Sequence, residues 1–389
     1  SHVVRLAKPT CEPTMFITGM KDSQNGLIDF ASSLLRVCLR LDFTRLRRRR
    51  AREGKKCEID QGPHEISFCG FGHTGKLGLW KEEEISVNTD RSASQLLIDA
   101  RQAWQIGLRA VEQRSSLALL KCGADGQIDF GEVELFAQSE DLHVLALGKS
   151  AHFMARAITR RLGDLVVRGL AVSQHAEPLA SPWVSLVGGH PKPDARSLEA
   201  GTRVCTWLDA LKPADRLLVL MSGGASAMIE VPAPEWTLDQ LAQARMDDLV
   251  TGMPIDQVNA RAARRSLIKD GGLAQRTPCR WRQLTINDVG NGCDGLVSSG
   301  PFLGLNGQDV RVADHRTAAD AAKAHLESMG FRVWMGPDLS GEARARGASL
   351  RLPQGFNALV QSGETTVLGP YEGTGGRNLE LVGGWISVR

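Results

Sequence analysis

The sequence predicts an α/β protein: a doubly wound, mostly parallel, Rossmann-like sheet in a first domain, followed by a second, incomplete α/β domain. Three observations carry this expectation. The short runs "HVLALG", "RLLVLM" and "RQLTIND" are apolar without polar alternation, the pattern of strands buried on both faces. Helical stretches separate them, which points to parallel pairing through right-handed crossovers. Several runs end in glycine turns, and in such sheets ligands sit beyond the carboxyl ends of the strands.

The bulk numbers agree with a globular chain. With 389 residues, two domains are expected. Hydrophobic residues make up 42% and charged residues 23%, and a net charge of +3 gives no whole-chain argument for nucleic acid or membrane partners. The eight cysteines lack a C-x-x-C pair or other metal-ligand spacing and read as reduced thiols of a cytoplasmic protein. No apolar run approaches the ~18 residues a bilayer span needs, and no secretory signal segment is evident.

Three unequal parts follow in order. Residues 1–93 contain "RLRRRRAREGKK" (Arg45 to Lys56), with eight basic residues in twelve. Like-charge blocks repel and bury nothing, so this part is expected to be a disordered or mis-assigned leader. Glu12, Asp22, Asp29 and Asp42 argue against a mitochondrial presequence. Residues 94–350 are expected to form the first domain. It opens on a helix with Leu96, Leu97, Ala100, Trp104, Leu108 and Val111 along one face. Residues 351–389 are expected to begin the second domain, with Thr365 to Leu368 as a buried run.

Within the first domain, "LALGKSAHFMA" sets Gly148 and Lys149 at a strand's carboxyl end, where a lysine can stabilise charge on a transferring phosphoryl group. A solvated surface lysine is the commoner fate. "RLLVLMSGGASAMIE" reads as strand, glycine turn and helix start. Gly223 and Gly224 would let backbone N–H groups approach an anion, the helix start would add donors, and Ser222 and Ser226 would add hydroxyls. Packing alone also accounts for such glycines. In "VGGHPKPDARSLEAG", His190 sits in a proline-fixed loop, either contacting a substrate or hydrogen-bonded structurally, and Ser197 is a candidate helix cap. "LTINDVGNGCDGLVSSGP" ends a strand at Asp288, a carboxylate able to accept an alcohol proton or bind Mg²⁺, or else to build an Asx turn.

Taken in order, "GKSAHFMA", "GGHPKPD", "LMSGGASAMIEVP", "VNARAARRSLIKDGGLA", "INDVGNGCDGLVSSGP" and "SGETTVLGPYEGTGGRN" resemble the glycerate kinase family whose C-terminal part is called the MOFRL domain. The similarity runs from about Ser94 to the end. The resemblance implies a two-domain cytoplasmic enzyme able to form a homodimer. It would transfer the γ-phosphoryl group of ATP to D-glycerate, at the 2-hydroxyl in this class, with Mg²⁺ and a site between the domains. It implies catalytic roles for Lys149, Asp288, Glu364 and Arg377, with Asp288 and Glu364 as the Mg²⁺ ligands. It implies substrate or phosphate contacts from Gly148, His190, Ser222, Gly223, Gly224, Ser226, Lys269, Gly375, Gly376 and Asn378.

Departures from the family pattern are also present. Ala262 and Ala263 stand where a basic pair is usual, Ser362 stands for the first glycine of "GGETT", and the aspartate-rich last strands have no counterpart before Arg389. The second sheet is therefore expected to carry unpaired edges and bare apolar surface, with activity impaired. A non-catalytic nucleotide- or glycerate-binding homologue is the first alternative. A hydroxypyruvate reductase-type oxidoreductase is the second, disfavoured because no G-x-G-x-x-G follows a strand.

Overall fold

The computed structural model describes residues 14–17, 35–40, 91–137, 140–250, 255–287, 294–304, 307–367 and 376–388. Two strands come first, β1 (Thr14–Ile17) and β2 (Leu35–Arg40), then helix α1 (Ala93–Ser115). A small antiparallel meander follows, β3 (Leu120–Cys122), β4 (Ile128–Phe130) and β5 (Val133–Phe136). The first large sheet is laid down by β6 (Leu142–Leu147), α2 (Ala151–Leu162), β7 (Val166–Ser173), β8 (Trp183–Val187), α3 (Ala195–Asp209) and β9 (Arg216–Met221). Helices α4 (Ala225–Met228), α5 (Leu238–Val250), α6 (Ile255–Arg264) and α7 (Gly272–Arg276) lead to β10 (Arg280–Asn287) and β11 (Gly307–Asp314). The remainder is α8 (His315–Ser328), β12 (Val333–Met335), α9 (Ala343–Ser349), β13 (Ala358–Ser362) and α10 (Arg377–Ser387).

The first sheet has six strands in the order β11-β10-β9-β6-β7-β8, all parallel. Chain order therefore reverses between β6 and β9, which makes the carboxyl ends of these two strands the switch point where ligands bind in open α/β sheets. Both strands are buried along their whole length because helices cover both faces, which is why their sequences do not alternate. One face packs with α1, α2 and α8 in a core that includes Trp104, Val144, Ala146, Met154 and Ile158. The other packs with α3 and α4 around Leu145, Leu147, Trp207, Val219 and Met228. Reciprocal capping boxes start α3, from Asp194 and Ser197, and α8, from Asp314 and Thr317.

The second sheet runs β1-β2-β13-β12. Here the structure departs from the sequence reading in several ways. Strands β12 and β13 pair in parallel, so the boundary expected at 350/351 falls inside this sheet. Residues 14–17 and 35–40, expected in an unpacked leader, are strands; β2 lies antiparallel on β13 with Ala358 opposite Leu39 and Ser362 opposite Leu35. Strand β13 thus has a neighbour on each side, and the edges of the described sheet are β1 and β12. Its apolar face is covered as well, since Leu381 and Trp385 of α10 pack with Leu339, Ala343, Leu350 and Leu359. Of the run expected to be buried at Thr365 to Leu368, Thr365 is buried, Thr366 is exposed and bridges to Glu342, Val367 packs on the core, and Leu368 lies outside the described residues; the strand is 358–362. No described helix is long and apolar enough to cross a membrane.

Candidate active site

The turns after β6 and β9 lock onto each other through the backbone. Lys149 N–H donates to Gly223 O at 3.0 Å and Ser150 N–H to Ser222 Oγ at 3.0 Å. The Ser222 hydroxyl in turn donates to Leu147 O at 3.1 Å. Gly148 has φ +110°, and a Cβ there would collide with the Ser222 carbonyl. The stem of Lys149 crosses Gly224, where an added Cβ would fall 3.2 Å from both its Cγ and Cε.

The helix start that faces this turn pair differs from the expected one. Helix α4 has four residues, and its Ala225 N–H is already taken by Ser298 Oγ at 3.1 Å. Helix α2, which begins just after Lys149, has twelve residues and no side-chain cap at its N-terminus. Its N-cap hydroxyl, Ser150 Oγ, is buried without a hydrogen-bond partner. Ala151 N–H donates to Gly148 O at 3.1 Å, and the N–H groups beyond it, with the positive end of the α2 dipole, suit an anion there.

A third strand end closes the hollow. After β8, Gly188 and Gly189 lead into His190, and Gly189 N–H donates to Ser197 Oγ at 3.0 Å. Burial first, then Lys149 and Arg245, lowers the pKa of His190 to about 4, so its imidazole is neutral at pH 7 and the two cations lie close to it. Arg245 of α5 donates through Nη1 to Ser226 Oγ at 2.9 Å, and its Nε is buried without a partner. The Ser226 hydroxyl also lies 2.8 Å from Ser299 Oγ. Ser298 and Ser299 hold left-handed backbone, φ +57° and +63°, which a β-carbon disfavours. In this conformation Ser298 Oγ donates to Ser222 O at 3.0 Å. Arg245, Ser298 and Ser299 were not singled out from sequence.

Lys269 requires a correction. Expected at the phosphate, it is 3% exposed and its ammonium is bonded to the Glu230 carboxylate, which Ser266 also contacts. Burial lowers the lysine pKa, and Glu230 opposes the shift. An isolated charge in that position would be costly, so the partner found in the fold decides its fate. The pair braces the segment under the β9 turn, as Glu230 N–H also donates to Ser197 O at 2.9 Å.

Glu364 and Arg377 stand at the second sheet. Glu364 follows β13 and Gly363, whose φ is +125°, and Arg377 opens α10 behind Gly376. Arg377 Nη1 donates to Glu364 Oε1, and both side chains are 43% exposed. Asn378 follows in the first turn of α10. Asp288 and Gly375 lie outside the described residues; Asn287, one residue before Asp288, ends β10 in the strand next to β9. The structure therefore gathers Gly148, Lys149, His190, Ser222, Gly223, Gly224 and Ser226 around the switch point. It joins Glu364 to Arg377 on another sheet and withdraws Lys269 into the interior.

Residues 99–328 match the domain of unknown function DUF4147. Over 293 residues the chain is 30% identical to a putative hydroxypyruvate reductase of Agrobacterium vitis, covering 61% of this chain and 76% of that protein. Over 194 residues it is 30% identical to the D-glycerate 2-kinase of Thermotoga maritima, covering 49% of this chain and 44% of the relative. It thus spans less than half the length of several curated relatives it matches. The crystal structure of the Thermotoga maritima glycerate kinase superposes with a TM-score of 0.58 at 22% identity, over 74% of this chain and 79% of that one. The matched domain covers more than half of the chain, which belongs to this family, the glycerate kinase family.

Proposed function

We propose that the chain carries the nucleotide- and acid-binding half of an ATP-dependent D-glycerate kinase acting at the 2-hydroxyl. The observation that supports this most is the interlocked turn pair at the switch point, where Lys149, uncapped α2 and neutral His190 converge beside Arg245. Phosphoryl transfer needs charge neutralisation and positioning more than covalent help. In this reading Lys149 and the α2 N-terminus take phosphate oxygens, with Gly148 and Gly224 permitting close approach. Arg245 and His190 hold the carboxylate and a hydroxyl of the acid. Arg377 brings a planar fork to the phosphate from the second sheet, and Gly376 and Asn378 shape the start of its helix.

Glu364 supplies a hard carboxylate oxygen of the kind Mg²⁺ takes, so its chemistry fits the metal, and Asp288 is the proposed second ligand. Bound there, Mg²⁺ would neutralise phosphate charge. The side chains named above would orient ATP and glycerate and exclude water from the turn pair.

The purified chain is expected to release ADP in a D-glycerate-dependent manner in a coupled assay. ADP release at background with ATP still bound would leave a non-catalytic binding homologue. The Agrobacterium vitis relative's name raises an oxidoreductase as second reading. NADH oxidation with hydroxypyruvate, and none of ADP release, would establish that instead.

A further inference from the structure

We propose that Asp141, His143 and Asp215 form a binding site for a divalent transition cation of the zinc class, at the amino end of the first sheet. The argument begins with strand register. Strands β6 and β9 align Leu142 with Arg216 and His143 with Leu217, so Asp141, one residue before β6, stands beside Asp215, one residue before β9. Arg216 N–H donates to Asp141 O at 2.9 Å and fixes that alignment. Side chains alternate along a strand, and Leu145 and Leu147 face the α3 side. His143 and Asp141 continue that face downward, with His143 edge-on to Trp207 of α3 at 5.9 Å. Asp215 joins them from the neighbouring strand.

One donor atom from each of the three residues lies within 4.8 Å of the others. His143 Nε2 is 3.3 Å from Asp215 Oδ2, and the two side chains are 6% and 9% exposed. His143 Nδ1 is buried and has no hydrogen-bond partner. Asp215 Oδ2 accepts from Lys212 N–H at 2.8 Å. Arg168, lying over Trp207, and Lys212 offset part of the carboxylate charge. One imidazole with two carboxylates is a nitrogen and oxygen donor set of the kind zinc accepts, whereas Mg²⁺ and Ca²⁺ favour oxygen alone. The site is separated from the switch point by the length of β6, about 20 Å for a strand of six residues. It would staple β6 to β9 and is independent of the kinase reading.

The test is a zinc titration of chelator-treated full chain against a chromophoric competitor, with thermal melts in parallel. One equivalent of Zn²⁺ should bind, and its addition should raise the Tm by several degrees, because the metal binds the folded chain. His143→Gln and Asp141→Asn should each lose that equivalent and the shift. Asp141 is exposed, so the second variant reports on the site even if the first folds poorly. No zinc uptake by the chain, or one equivalent retained by both folded variants, would overturn the site and leave a plain His143–Asp215 hydrogen-bond contact.

Discussion

The ends of the two sheets are built in opposite ways. At the switch point of the first, side chains and backbone are fixed by buried hydrogen bonds: Ser222 to Leu147, Ser298 to Ser222, Ser226 to Ser299 and Arg245. At the second, Glu364 and Arg377 are half-exposed and bond to each other. The first arrangement is preorganised, with Lys149 and Arg245 both close to His190. The second is a surface pair, and in the proposed reaction its arginine would exchange its carboxylate partner for phosphate. Substrate binding is therefore expected to depend on the first end and final orientation on the second.

Removing one partner of the buried pair beneath the first end and one partner of the surface pair at the second should expose this contrast. Lys269→Ala leaves the Glu230 carboxylate buried without its cation, and is expected to cost about 3–5 kcal/mol in urea unfolding. A loss below about 1 kcal/mol would show that Glu230 finds water or another partner.

His190 gives the next effect, and it depends on pH. Above pH 6.5 the imidazole is neutral in the folded and unfolded chain alike and contributes nothing. Between 6.5 and about 4 the unfolded chain takes a proton that the folded chain refuses, so stability falls as pH falls through this window. In His190→Gln that share of the loss should vanish, and melts across the window should decline less steeply. Equal slopes would place His190 in a more solvated position. The smallest effect is expected from Glu364→Gln, with a stability change under about 1 kcal/mol because the pair is solvated. A loss as large as that of Lys269→Ala would erase the contrast between the two ends.

The sequence disclosed the parts of the fold that rest on local pattern. The apolar runs 142–147 and 216–221 read as strands covered on both sides, and the glycine turns that follow them lay at their carboxyl ends. Edge strand β11, "GQDVRVAD", was missed because its polar residues, among them Gln308, Asp309 and Arg311, hide any apolar run. The pairing of β2 with β13 joins residues more than three hundred positions apart, and no local signal announces it. Site residues divide along the same line. Lys149 and Ser222 were legible because glycine marks their turns. Arg245 was not, since its contact with Ser226 is made by tertiary packing of α5. Lys269 was misread because the glycine turn beside it is visible in sequence, whereas its partner Glu230 lies 39 residues away. The left-handed Ser298 and Ser299 follow no propensity that serine advertises.

The central claim is that the turns after β6 and β9 form the polyphosphate-binding hollow. Calorimetric titration of the full chain with ATP tests it most directly, comparing wild type with Lys149→Ala. Wild type should bind ATP, and Lys149→Ala should bind at least about tenfold more weakly, the loss of one charge-assisted contact, with its Tm unchanged. Unchanged ATP affinity in a normally folded Lys149→Ala would contradict the account and move the nucleotide elsewhere on the molecule.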